Sequence, residues 1–304
     1  MSGPAITLLI PCRDAEDFLP RLIDSVRSGT QQFTTVLCYD DGSRDDTVGV
    51  ARRLGLEIIT GQPHRGVAHA RNQLATAART EWIHFHDADD LVGTRYLERL
   101  QPACDDRHDV VSCDADWLDE ADRSTILRWR YDPEQMALAP LPHLLLHPLS
   151  LNNSIIRRSS WQSVGGCDES LEMWEDADVH IRLARSGARF HHIPEVLTCA
   201  LRRTTSFSHD YHRSWICRLQ SLERYAAAPG ADQLTAELAH EVERAAAELA
   251  FFNDRANAER AISLCRRLGV QLPTTSHPFL NLLKSFVPAY PLLRLQVRRR
   301  RAAG

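Results

Sequence analysis

Asp87, Asp89 and Asp90 crowd into four consecutive positions of "WIHFHDADDL" (82–91), directly behind apolar and aromatic residues that read as a buried strand. Three carboxylates at a strand end repel one another and resist desolvation, so the arrangement costs stability unless a cation or a reaction compensates for it. In extended backbone Asp87 and Asp89 point to one side, where they could share a divalent cation, or one could hold the ion while the other binds a ligand. The competing account is a solvated turn followed by a helix cap. A second acid pair, Asp40-Asp41 in "YDDGSRDDT" (39–47), ends another apolar run. There Gly42 permits a tight turn, Ser43 and Asp46 can cap the next helix, and Asp41 is left facing a crevice. A third pair, Glu175-Asp176 in "WEDADVHIRLARSG" (174–187), opens a helical pattern, where acids also complement the helix dipole.

The elements that must position these acids follow from periodicity. Apolar runs at 6–11, 34–40, 56–60 and 82–87 alternate with helical patterns at 16–28, 45–55, 66–78 and 94–104. Strands alternating with helices imply an α/β fold with a mostly parallel sheet, flanked by helices. In such sheets ligands bind beyond the carboxyl ends of the strands, which is where Asp40-Asp41 and Asp87–Asp90 fall. Further strands are expected at 109–118, 125–131 and 151–158, with 132–150 as a loop rich in Pro, His and Leu. A helix from Glu175 to Ser186 stops at Gly187, and from Asp210 the chain turns Ala-rich and helical, with an amphipathic helix over 233–252.

With "IPCRDAEDFLPRLIDSV", "GVAHARN", "HDADD", "VGGCDESLEMWEDADVHIRLARSG" and "LRRTTSFS" in this order, the sequence resembles glycosyltransferase family 2, from Ile6 to Ser208. The resemblance implies a GT-A fold over 1–209, with a nucleotide-sugar-binding half (1–106) and an acceptor-binding half (107–209), followed by a helical region over 210–304. It implies an inverting transfer from a nucleotide-sugar donor, most often a UDP-sugar, to a hydroxyl of a saccharide or lipid-linked acceptor in polysaccharide or glycoconjugate assembly. Carried over by motif, Pro11, Asp40 and Asp41 line the base and ribose pocket, and Arg71 lies near the diphosphate and the acids. Asp87 and Asp89 form the DxD pair, with Asp89 the direct ligand of Mn²⁺ or Mg²⁺. Asp176 is the expected general base beside Glu175. Arg202, with Arg203 beside it, stands where basic residues approach the diphosphate; a solvated surface pair is the competing account. The chain departs from the family pattern at Pro11-Cys12-Arg13-Asp14, where members commonly read Pro-x-Tyr-Asn, at His64, where an Asn often stands, and at His86, a position usually aliphatic. A catalytically inactive nucleotide-sugar-binding or regulatory protein of the same fold is the alternative.

Composition excludes other classes. A net charge of -4 argues against a nucleic-acid binder. A nicotinamide-dependent oxidoreductase would want GxGxxG after the first strand, which "IPCRDAEDF" lacks. The eight cysteines are scattered without CxxC spacing, which fits free thiols and a reducing cytoplasm. No apolar run approaches the roughly 20 residues of a membrane span. From Pro273 to Gly304 there are six basic residues and no acid, leaving -10 on the remainder if the total is -4. That tail either meets an anionic membrane surface through its arginines or packs its apolar residues on the preceding helices.

Overall fold

The computed structural model describes residues 3–203, 210–270, 272 and 287–302. The chain divides into two units, Met1–Ser206 and Phe207–Gly304. The boundary expected at 209/210 lies beside 204–209, outside the described residues.

The first unit begins with alternation of strand and helix: β1 (Ile6–Cys12), α1 (Leu19–Arg27), β2 (Thr35–Asp41), α2 (Thr47–Arg53), β3 (Glu57–Gly61), α3 (Val67–Ala77) and β4 (Trp82–Phe85). Every residue of β1 and β4 is buried, as continuous apolar runs in a covered parallel sheet require. Ile6, Leu8 and Ile10 share one core cluster with Leu19, Leu22, Ile23 and Val26 of α1, each contributing about 1.5–3 kcal/mol by leaving water. At the start of α2 the cap differs from expectation. Asp46 occupies the N-cap position without a side-chain cap bond, and Asp45 Oδ1 accepts the Thr47 N–H (3.0 Å). The Ser43 hydroxyl turns back to accept from Asp14 N–H (2.9 Å).

The chain continues through β5 (Leu91–Val92), α4 (Tyr96–Leu100), β6 (Val110–Asp119), β7 (Thr125–Trp129), α5 (Pro133–Leu138), α6 (Pro140–Leu146), β8 (Ser154–Arg157), α7 (Arg158–Ser163), α8 (Glu175–Arg185) and β9 (Phe190–Arg202). Two short helices thus replace the loop expected over 132–150. Both open with proline, whose missing N–H is no loss in a first turn, and the Asp132 carboxylate caps α5 by accepting from Glu134 N–H (2.9 Å).

The strands form one sheet in the order β3-β2-β1-β4-β8-β6-β9-β5, with β7 added to β6. Pairing is parallel through β3-β2-β1-β4 and between β6 and β9. It is antiparallel at β4-β8, β8-β6, β6-β7 and β9-β5, so the sheet is parallel in its first half and mixed beyond it. β1 lies between β2 and β4, so the connections depart from it in opposite directions, and a crevice opens at the carboxyl ends of β1 and β4.

The second unit contains α9 (Tyr211–Ala227), α10 (Thr235–Phe251), α11 (Arg255–Arg267) and α12 (Ala289–Ala302). A fully buried ion pair, Arg218 to Glu241 at 2.9 Å, joins α9 to α10. Tyr290, Leu292, Leu293 and Val297 of the tail helix are buried, and α12 packs against α10 and α11. The tail residues 273–286 lie outside the described residues. No helix among the described residues is long and apolar enough to cross a membrane.

α8 is anchored from within. His180 is fully buried, donates through Nδ1 to Asp176 O (2.7 Å), and accepts at Nε2 from Ser154 Oγ (3.0 Å). Burial pushes its pKa down to about 4, against the opposing pull of the Asp176 carbonyl. Because the folded value lies below the unfolded value of about 6.5, the unfolded chain takes up this proton first as pH falls. Stability from this site is complete above pH ~6.5 and is lost toward pH ~4. Between pH 7 and 5 the wild type should therefore lose about 2 kcal/mol more than His180→Gln, read from urea unfolding at both pH values. Equal losses would show that His180 is not held neutral by the fold.

Candidate active site

The crevice is organised around Arg71, which lies on α3 and is 4% exposed. Its Nη2 donates to Asp87 Oδ1 (2.7 Å), just beyond β4, and its Nη1 donates to Glu175 Oε1 at the first residue of α8. Burial alone would lower the pKa of this guanidinium, but Asp87 and Glu175 raise it further, so it stays charged. Glu175 is pushed up to about 7 by burial, opposed by Arg71 and reinforced by Asp176. Asp176 is also raised by burial; Arg71, the Ala177 N–H and a bond from Ser150 oppose that shift, while Asp87 adds to it. Trp174, the N-cap of α8, has φ +71°, a left-handed conformation that a bulky side chain rarely adopts.

The acid turn after β4 departs from extended geometry. Asp90 N–H donates to Asp87 O (3.2 Å), so Asp87–Asp90 turns back on itself, and the carboxylates are not placed by strand alternation. Each acid has its own partner. Asp87 pairs with Arg71, and Asp89 Oδ2 accepts from Arg203. Asp90 is buried and accepts from Leu201 N–H (2.8 Å) and Asn152 Nδ2 (2.5 Å). Asn152 Oδ1 also accepts the Asp87 N–H (3.1 Å). Burial, then the charge of Asp87, raises Asp89, with Arg203 opposing; Asp90 is raised well above the usual range by burial and by both neighbouring acids.

The second acid pair ends β2. Asp41, expected to face it, is buried and closes the loop before α3: it accepts from Arg65 N–H (2.9 Å), Gly66 N–H (2.8 Å) and His64 Nδ1 (2.6 Å). Arg13 Nη1 contacts His64 Nε2. A guanidinium can only donate, so His64 accepts there and donates to Asp41 through Nδ1. Arg13 and His64, both departures from the family pattern, therefore touch each other, and His64 carries the contact on to the Asp41 carboxylate. Asp40 is buried and accepts from Ser43 N–H (3.2 Å), and Pro11 is a buried residue of β1 opposite Tyr39. Arg202 lies over the Trp117 ring at 4.3 Å, whereas Arg203 reaches the acid turn. His86, next to the turn, is fully buried beside His84 of β4 (3.2 Å), and its pKa is lowered to about 4, chiefly by burial.

The structure thus brings together Arg71, Asp87, Asp89, Glu175 and Asp176, and sets Pro11, Asp40 and Asp41 along β1 and β2. Sequence reasoning missed Asn152, Ser150 and Glu120. Two asparagines before a short strand were a visible signal for Asn152; Glu120 gave none.

Could these residues hold a divalent ion? Among the described residues no group of three or more His, Cys, Asp or Glu side chains forms a metal cage. Asp87 Oδ1 and Asp89 Oδ2 are each engaged by an arginine. Two neighbouring carboxylates in one turn suit Mg²⁺ or Mn²⁺ bound jointly with phosphate oxygens, the common arrangement for a small hard cation, so the donor set fits.

A family model described as Glycosyl transferase family 2 matches residues 7–165, more than half of the chain and all of the crevice except Glu175, Asp176 and the end of β9. The chain belongs to this family. Among curated proteins it is 30% identical over 230 residues to the pre-mycofactocin glycosyltransferase of Mycobacterium tuberculosis (strain ATCC 25618 / H37Rv), covering 71% of this chain and 46% of the relative. It is 29% identical over 118 residues to the putative glycosyltransferase EpsH of Bacillus subtilis (strain 168), covering 37% of this chain and 34% of the relative. The chain spans about half the length, or less, of these family members. In fold it is similar to the mannosyltransferase PcManGT from Pyrobaculum calidifontis, solved with GDP-Man and Mn²⁺, with a TM-score of 0.64 at 16% identity over 100% of this chain and 81% of that one. Residues 1–349 of S. aureus TarS match with a TM-score of 0.58 at 15% identity, over 90% and 94% of the two chains.

Arg71 is the buried charge on which this family member's crevice depends. Arg71→Met should cost about 3–5 kcal/mol in urea unfolding at pH 8, because Asp87 and Glu175 lose their common counter-charge. The loss should shrink at pH 5.5. Glu175, its pKa higher still without Arg71, then binds a proton in the folded variant and escapes the penalty. An unfolding midpoint equal to wild type at pH 8 would reject the compensating role.

Proposed function

We propose that the protein transfers a sugar, with inversion, from a nucleotide-sugar donor to a hydroxyl of a saccharide or lipid-linked acceptor, with Asp176 as general base. The observation that carries this reading is the bridge made by Arg71, which sets Glu175-Asp176 beside the acid turn of Asp87–Asp90. Glu175 is committed to Arg71, so its neighbour Asp176 is the carboxylate left to act. Asp176 would take the acceptor proton as the acceptor oxygen attacks the anomeric carbon and the bond to the diphosphate oxygen breaks on the opposite face. A carboxylate whose pKa is raised toward neutrality is a stronger base for that step, and such catalysis contributes on the order of 10²–10⁴ in rate. Asp89, with Asp87, would hold Mn²⁺ or Mg²⁺. A divalent ion there supplies Lewis-acid stabilisation of the charge developing on the leaving diphosphate.

Two measurements test this. Titration with UDP, GDP, dTDP and CDP, each with and without Mn²⁺, should reveal one preferred base whose binding Mn²⁺ strengthens; equal, metal-indifferent binding of all four, or of none, rejects a donor site. With the donor so identified, Asp176→Asn should retain nucleotide affinity while transfer falls by roughly 10²-fold or more. Wild-type kcat/KM should rise with pH along an acid limb whose midpoint lies above the ordinary aspartate value of about 4, since only the carboxylate accepts a proton, and that limb should vanish in the variant. Full activity of Asp176→Asn would assign the base elsewhere.

A further inference from the structure

Asp89 is held by more than one element. Arg203, immediately after β9, donates from Nη2 to Asp89 Oδ2, its Nε lies 3.8 Å from Glu120 Oε2, and its guanidinium lies 3.8 Å from the centroid of the Phe18 ring. Glu120, just beyond β6, accepts at Oε1 from Arg21 Nη1 of α1 (2.8 Å). Arg21 Nη2 in turn donates to the backbone oxygen of Asp89 (3.0 Å). Two arginines thus each touch both Glu120 and Asp89, one at the backbone and one at the side chain.

We propose that Arg203 is a positioning residue that holds Asp89 through the carboxylate oxygen a divalent cation would take, and moves to the donor diphosphate when the cation arrives. This rests on the donor-site reading above. The Asp89 side chain is 33% exposed and that of Arg203 only 18%, so the contact sits at the mouth of the crevice with the cationic partner the more enclosed. A guanidinium and a divalent ion cannot occupy the same face of one carboxylate oxygen. Arg203 displaced from Asp89 would not become an uncompensated buried charge, because Glu120 and the Phe18 ring still hold it. Arg21 meanwhile fixes the backbone at Asp89, so the turn keeps its place while the side-chain partner changes. A cation bound with a diphosphate brings anionic oxygens to the displaced guanidinium, whose planar fork matches phosphate geometry.

The consequence is a defined order of affinities. A cation alone must compete with Arg203 for Asp89, whereas a cation with a diphosphate gives Arg203 a new partner, so metal and nucleotide each strengthen the binding of the other by the same factor. The discriminating variant is Arg203→Lys. It keeps the positive charge, so long-range repulsion of the metal is unchanged, but a single ammonium cannot span Asp89 and Glu120 together.

Free Mn²⁺ counted by electron paramagnetic resonance, for the full chain and for Arg203→Lys, tests this with Mn²⁺ alone and with Mn²⁺ plus each of UDP, GDP, dTDP and CDP. In the wild type, the preferred nucleotide should strengthen Mn²⁺ binding by at least about fivefold. Arg203→Lys should bind Mn²⁺ alone several-fold more tightly and lose most of the nucleotide coupling, a pair of opposite changes that a merely structural defect would not produce. Unchanged or weaker binding of Mn²⁺ alone in the variant overturns the proposal, as does absence of Mn²⁺ binding by both proteins. Nucleotide binding with unchanged coupling in the variant overturns only the role of Arg203; failure of both proteins to bind any nucleotide overturns the donor reading and the transfer of Arg203 to a diphosphate together.

Discussion

A single buried cation, Arg71, makes the rest of the crevice possible. Three structural elements converge on it: α3 supplies the guanidinium, the turn after β4 supplies Asp87, and the first residue of α8 supplies Glu175. Taking such a charge out of water costs several kcal/mol, recovered only if paired groups stay in place. The pairing is therefore a positional constraint. It prevents the start of α8 from drifting away from the acid turn, and so fixes the distance between the residues proposed to bind the donor and the residue proposed to activate the acceptor. Glu175 is 104 residues from Arg71 and opens a helix that follows the later strands, so the constraint also ties the parallel half of the fold to the mixed half.

With Arg71 committed to Asp87 and Glu175, the remaining acids need separate solutions. Asp90 receives neutral donors, a backbone N–H of β9 and the Asn152 amide, and its pKa is raised. It behaves as a structural lock on the turn more than as an exposed anion. Asp89 receives Arg203 at the mouth of the crevice. The three acids that are adjacent in sequence thus have distinct roles: one neutralised by a buried cation, one by a partner at the crevice mouth, and one by burial and neutral hydrogen bonds. The repulsion among them persists as the raised pKa values of Asp89 and Asp90.

The parallel half of the fold was legible because its strands are continuous apolar runs and its helices amphipathic; the limits of β1, β2, β3 and β4 lie within two residues of the expected ones. The region 132–150 was not, because its prolines, which suggest a loop, sit where a first helical turn tolerates them. The acids themselves were visible at their true positions, but their partners were not. Arg203 is 114 residues from Asp89 and Glu175 is 104 from Arg71, and periodicity carries no information about such pairings. Arg202 and Arg203 are neighbours in sequence, yet one meets Trp117 and the other Asp89, a difference that residue type does not carry. The extended geometry assumed for Asp87 and Asp89 failed because the strand ends at Phe85, leaving the acids in a turn.

The start of α8 brings opposing influences to one residue. Its first turn carries Glu175, Asp176 and Asp178, acids that complement the partial positive charge of a helix N-terminus, which favours the charged form of Asp176. For Asp176 the Ala177 N–H and Ser150 act in the same direction, yet burial leaves the net shift upward. The backbone is also held against its preference: Trp174 sits at φ +71°, a conformation costing on the order of 1–3 kcal/mol for a non-glycine residue, and it persists only where the surroundings over-determine it. The surroundings do so on both sides of the helix. Glu175 is tied to Arg71, and the Asp176 carbonyl is tied to the buried His180. A carboxylate fixed at its backbone, poised above its ordinary pKa and backed by a neighbour that already satisfies the cation is arranged to accept a proton without first having to leave an ion pair.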